Sequence, residues 1–167
     1  MVDRIGHALE QFDPSEEVHL VFSAHNVPAA KVEQGDPYPE QIAETVAAVL
    51  QRGAWGLPGG LPAHLCYQSK VGGARWLEPG LDSTIERLAA EGARNLLIVP
   101  IAFVSDHVET LSEIDIDARA RALGLGIRRF AMMPGLNDSP LFIGALAGLV
   151  HQALAAAHPR ALHAAAG

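Results

Sequence analysis

Two histidines and a regularly spaced set of acids are the residues of this chain whose types and positions could do chemistry. His25 follows the apolar run Val18 to Phe22 by three residues, and His107 follows Leu96 to Val99 by eight. A histidine at a strand end is more often a hydrogen-bonded loop residue than a base or ligand. Two on the same rim of one sheet, however, would share a pocket. Beyond His107 stand Glu109, Glu113 and Asp117, in steps of four. Each such step turns an α-helix by about 400°, so the three carboxylates fall within about 80° of one another. Like charges at that spacing repel by roughly 0.2–0.5 kcal/mol per pair. The bland reading is a solvated acidic face. The functional reading is a cation path, because hard carboxylate oxygens bind and relay divalent ions. Glu109 lies at the helix start, where the helix dipole favours a carboxylate.

The elements that must position these residues alternate between strand-like and helical runs. Strands are expected at Val18–Phe22, Ala63–Gln68, Asn95–Val99 and Ile127–Met132, and helices at Glu40–Gln51, Leu81–Ala90, Asp106–Leu123 and Ser139–Ala156. A helix and linker over 1–17 leads in, the α/β domain runs over 18–157, and an Ala-rich tail occupies 158–167. Gly56, Pro58, Gly59, Gly60 and Pro62 make Ala54–Pro62 a connection, and Gly92 caps the helix ending at Ala90. Four strands separated by helices argue for an α/β fold: an open parallel four-stranded sheet with helices on both faces, flavodoxin-like. Ligands of such sheets sit at the carboxyl ends of the strands. Those ends carry Ser23–Tyr38, Gln68–Trp76, Pro100–Glu109 and Pro134–Asn137, the loops of unusual content.

Composition sets bounds. At 167 residues, 49% hydrophobic and 19% charged, the chain has material for one well-packed domain. A net charge of −7 argues against nucleic-acid binding, which needs a basic footprint. Cys66 is the one cysteine, so neither an internal disulfide nor an iron–sulfur cluster of cysteine ligands can be built. A reducing cytoplasm fits that usage. Met1 to Phe12 contains Asp3, Arg4 and Glu10, which does not match a signal peptide. The longest apolar run, Leu141–Ala157, is interrupted by Gly144, Gly148, His151 and Gln152, so no membrane span is expected. Contact with the inner membrane would be peripheral at most.

Read in full, the loops resemble the ferrochelatase family. The matching motifs are Phe22-Ser-Ala-His-Asn-Val-Pro28 with Gly35-Asp-Pro-Tyr-Pro39, Cys66-Tyr-Gln-Ser-Lys-Val-Gly72 with Trp76-Leu-Glu-Pro79, and Pro100-Ile-Ala-Phe-Val-Ser-Asp-His-Val-Glu-Thr-Leu-Ser-Glu113. Leu136-Asn137 and Pro140-Leu-Phe142 match the family's last loop and helix. The resemblance covers about Val18 to Val150, in order. It implies insertion of ferrous iron into protoporphyrin IX to give protohaem, with release of two pyrrole protons. His25 and Glu109 are then the catalytic pair and the metal ligands, facing each other across the porphyrin. Asp106 and His107 support them, and Glu113 and Asp117 pass metal or protons. Ser23, Tyr38, Gln68, Ser69, Lys70 and Trp76 line the porphyrin pocket. Iron enters as substrate, with no permanently bound cofactor. The motifs lean toward the protoporphyrin rather than the coproporphyrin type.

The sequence departs from the family in three places. Asn26 follows the histidine where relatives carry a small residue, a change expected to matter little. Gly73-Ala-Arg75 replaces a proline-containing stretch before the tryptophan. The resemblance is to the carboxy-terminal half alone, whereas the family's cleft lies between two α/β domains. Three explanations compete: the sequence is a fragment or truncated form, it is a half that pairs with a separate amino-terminal chain, or it forms a homodimer whose second copy supplies the other wall. Two competing functions are a small dimeric chelatase inserting cobalt or nickel into a related tetrapyrrole, and a non-catalytic tetrapyrrole-binding module.

Overall fold

A computed structural model describes residues 1–55, 60–70 and 72–157. The Ala-rich tail at 158–167, the core of the Ala54–Pro62 connection and Val71 lie outside the described residues. The chain forms two compact units, Met1–Gly135 and a second beginning at Leu136.

In the first unit, α1 (Val2–Leu9) leads into β1 (His19–His25), followed by a short α2 (Ala29–Glu33) and α3 (Tyr38–Arg52). Then come β2 (Ala63–Gln68), α4 (Leu81–Ala90) and β3 (Asn95–Pro100). A π-helix (Thr110–Ala118) runs directly into α5 (Arg119–Gly124), and β4 (Arg129–Met132) completes the sheet. The sheet order is β2-β1-β3-β4, all pairs parallel. The expected open parallel sheet is therefore present, with the chain reversing its direction of winding between β1 and β3.

Both faces are covered, and the strands supply alternate side chains to each. Leu20, Phe22 and Ala24 point to one layer, where Ile5, Ala8, Ile42, Val46 and Val49 of α1 and α3 meet them. Val21 and Cys66 point to the other, with Leu81, Ile85 and Leu88 of α4 and Ile114, Ala118 and Ala122 beyond. Every residue of β3 is buried, as a central strand between two helical layers requires. Burial pushes the Cys66 thiol up to about 12, which makes it a packing residue and not a nucleophile.

Three expectations need correcting. β1 does not stop at Phe22: pairing with β2 carries it through Ser23, Ala24 and His25, so His25 ends the strand instead of following it. The helix expected over Asp106–Leu123 is for nine residues a π-helix, whose bonds run from i to i+5. A step of four then falls short of a full turn instead of overshooting one. Third, the α6 helix of the second unit (Pro140–Ala157) has 18 residues, no charged side chain and a mean hydropathy of 1.6. It is long and apolar enough to cross a membrane by length and composition, which the sequence reading did not expect. Core helices of water-soluble proteins pass the same test.

Candidate functional site at the carboxyl ends of β1, β2 and β3

The winding reversal between β1 and β3 leaves a crevice at the carboxyl ends of those strands, the usual ligand position in open α/β sheets. His25, the last residue of β1, stands there. Its β2 partner in register is Gln68, so Ser69 emerges beside it. Ser23 pairs with Pro100 of β3, and the Ile101 N–H continues that ladder to the Ser23 carbonyl at 3.0 Å. The loop from Pro100 to the π-helix thereby returns Glu109 to the same rim.

The central contact joins His25 Nδ1 to Glu109 Oε1 at 2.8 Å, with the side chains 47% and 31% exposed. Ser69 Oγ lies 2.5 Å from Glu109 Oε1 and 2.6 Å from Glu113 Oε2. A chain His25–Glu109–Ser69–Glu113 therefore runs inward from the rim. The Ser69 hydroxyl, more than any other group, holds the Glu109 carboxyl below the usual range, with His25 adding to the effect against partial burial. Glu109 is thus ionised and accepts, so His25 donates from Nδ1, and in the neutral ring Nε2 is then the atom that carries the lone pair. Ser69 reaches the two acids from a left-handed backbone, φ +67°, which costs a non-glycine residue about 1–3 kcal/mol.

The neighbours hold this chain in place. The Tyr38 hydroxyl donates to the His25 carbonyl at 2.8 Å, and Ser23 Oγ donates to Gln68 Oε1 at 2.6 Å. The Phe103 ring meets His25 edge-on, centroids 6.0 Å apart, and His107 at 5.1 Å. His107 Nδ1 accepts from the Glu109 N–H at 3.2 Å, and Asp106 Oδ1 accepts from the Gly135 N–H at 2.8 Å. Both therefore fasten the loop that delivers Glu109. Lys70 pairs with Glu78 at 2.6 Å. Trp76 bridges to Pro28, and its Nε1 and the Gln68 Nε2 are buried without a partner among the described residues. Glu113 and Asp117 line a cavity of about 500 Å³ with Gln68, Ser69, Lys70 and Arg121.

Two residues escaped the sequence reading. Asn26, expected to matter little, is buried and brackets Leu77. Its Nδ2 donates to the Leu77 carbonyl at 3.1 Å, and its Oδ1 accepts the Leu77 N–H at 3.0 Å. It ties the Trp76 loop to the end of β1. Phe103 is the second, and its signal is that it is the one aromatic between Pro100 and His107.

Among the described residues, no three His, Cys, Asp or Glu side chains form a ready metal cluster. His25 and Glu109 are a two-residue centre that could hold an ion whose other ligands come from elsewhere.

Fold and rim together define an open α/β domain of the chelatase type. A solved CbiX protein of cobalamin (vitamin B12) biosynthesis from Marinobacter aquaeolei VT8 has the same fold, with a TM-score of 0.53 at 15% identity, covering 82% of this chain and 97% of that one. The chain belongs to the ferrochelatase family, whose model matches residues 1–154. The ferrochelatase of Geotalea uraniireducens is 48% identical over 89% of this chain, that of Geobacter metallireducens 45% over 92%, and that of Nostoc punctiforme 46% over 92%. The chain spans 45%, 47% and 39% of those relatives' lengths, about half or less.

Proposed function

We propose that this chain carries the metal-inserting wall of a ferrochelatase cleft and takes part in placing ferrous iron in protoporphyrin. The observation that carries the reading is the 2.8 Å pair of His25 Nδ1 and Glu109 Oε1 at the carboxyl end of β1. The reaction exchanges Fe²⁺ for two pyrrole protons. With Nδ1–H held by Glu109, His25 Nε2 is free to take the first proton or to guide the ion. The imidazolium so formed stays paired to a carboxylate, as a general base requires. Glu109 is the carboxylate for the ion or the second proton, and Ser69 with Glu113 offers that proton a way out. The opposite wall of the cleft is supplied by a second half, either another copy of this domain or a domain corresponding to the remaining length of the longer relatives.

The test is anaerobic incubation of the chain with Fe²⁺ and protoporphyrin, or coproporphyrin in parallel, following the Soret band. It is run alone and with the amino-terminal half of a relative. Metalloporphyrin should form in at least the second mixture, and His25→Ala should lower its rate by about 100-fold or more. Porphyrin that stays metal-free in both mixtures overturns the function, while full activity of the His25 variant overturns the site.

A further inference from the structure

A second histidine pair lies at the other end of the sheet, and the mechanism does not use it. His19 opens β1 and His64 is the second residue of β2; pairing of Val21 with His64 puts both side chains on the same face. His19 Nδ1 is 3.0 Å from His64 Nε2, and the rings are within 13° of parallel. Glu17 Oε1 sits 3.2 Å from the other nitrogen of His19, and Arg87 of α4 reaches His64 Nδ1 at 3.4 Å. His19 is only 13% exposed.

With both rings neutral, the partners assign the tautomers. A carboxylate only accepts, so His19 carries its proton on Nε2 and turns a bare Nδ1 toward His64. His64 therefore donates from Nε2 and leaves Nδ1 bare for the Arg87 N–H. His19 thus has the arrangement of a metal-binding histidine: one nitrogen tethered to a carboxylate, the other a lone pair held in place. Nitrogens about 2.1 Å from an ion and adjacent in a square or octahedral shell lie about 3.0 Å apart, the spacing found here.

We propose that His19 and His64 form a bidentate site for a borderline divalent ion that favours imidazole in such a shell, Ni²⁺ or Cu²⁺, with water as the remaining ligands. The ion takes the place of the proton on His64 Nε2. That proton passes through solvent to Nδ1, so the exchange releases none, and both rings turn to aim their lone pairs at the ion. Arg87 must withdraw from Nδ1, and its two bonds to Glu91, at 3.0 and 2.8 Å, already hold it on that side. The seven residues of β1 separate this site from His25 by about 20 Å. An ion here is not the one being inserted, and it clamps β1 to β2 from the far end.

The experiment titrates the untagged chain with Ni²⁺ alone by calorimetry and by thermal melting. A saturating concentration should raise the melting midpoint by about 5 °C. His19→Ala with His64→Ala should weaken binding at least about 10-fold and remove the shift. Arg87→Ala should bind several-fold more tightly, because the N–H facing Nδ1 is gone. Unchanged affinity and shift in the double variant overturn the proposal. Should that variant fail to fold, Cu²⁺ added to the native chain decides by NMR. Early broadening of the His19 and His64 ring signals supports the site, and their survival while other histidines broaden refutes it.

Discussion

Glu109 accepts from two side chains at once, and the two do different work. His25 shares a proton with it across the rim, whereas the Ser69 hydroxyl is the larger reason its carboxyl stays ionised. Removing the hydroxyl in Ser69→Ala should therefore raise the Glu109 pKa. The sign follows from linkage. A carboxyl held low when folded adds stability above its unfolded pKa and loses it as pH falls through the folded value. With Ser69 gone, the folded value moves up toward the unfolded one, so the contribution is smaller and is fully lost at a higher pH, and the acid limb of any activity profile moves the same way. Carbon-13 NMR titration of Glu109 in the chain itself checks this, and Ser69→Thr should restore the native value. An unmoved titration would mean that Ser69 is packing alone. His25 could be singled out in the sequence because it closely follows an apolar run, and Glu109 and Glu113 because they repeat a step of four just beyond His107. The left-handed backbone of Ser69 was not, since nothing in Gln-Ser-Lys signals a positive φ. Asn26 shows no sign of its role in the sequence, where it stands only as a residue that tolerates the tight backbone relatives meet with a small one, because its partner, the Leu77 backbone, is 51 positions away.

Elements place these groups, and their boundaries were the least legible part. Val18–Phe22 is apolar enough to be read as a strand from local composition. Ser23, Ala24 and His25 become strand only because Cys66, Tyr67 and Gln68 pair with them, which local composition does not encode. The π-helix was hidden for a related reason: apolar spacing fits i+4 nearly as well as i+5, and Ile114 and Ala118 serve either reading. The consequence is functional, because the wider turn sets where Glu113 meets Ser69. A tight fastening fixes the loop before it. A Cβ on Gly135 would lie 2.7 Å from the Asp106 backbone nitrogen and 2.8 Å from the Ser105 carbonyl carbon. Gly135→Ala should therefore displace the stretch that ends in His107 and Glu109. The expected cost is about 1–3 kcal/mol in urea unfolding, with the amide signals of 105–109 shifted and those of α1 unmoved. A variant as stable as the native chain, with unshifted loop signals, would show that the loop is held by other contacts.

At the scale of the whole molecule, the order of the strands and longer helices was legible, because four apolar runs alternating with helical ones admit few open-sheet arrangements, whereas the short α2 (Ala29–Glu33) lies in a stretch expected to be loop. What composition left unread was the character of the last helix. α6 carries no charge over 18 residues, and Leu141, Ile143, Leu146, Leu149, Val150 and Leu154 are all exposed. A helix apolar around its whole circumference is ordinarily buried, and water in contact with so many large side chains favours association. The sequence reading broke this segment at Gly144, Gly148, His151 and Gln152, yet none of these is charged, so they do not lower its hydropathy enough to matter. The chain should therefore associate as its concentration rises in sedimentation velocity. Leu146→Glu with Leu149→Glu should shift it toward monomer, without changing the far-ultraviolet circular dichroism of the α/β unit. Charges near the middle of such a helix repel their counterparts on a second copy and keep water on the face. If the variant sediments as the native chain does at every concentration, association is driven elsewhere, and the apolar face of α6 takes no part in it.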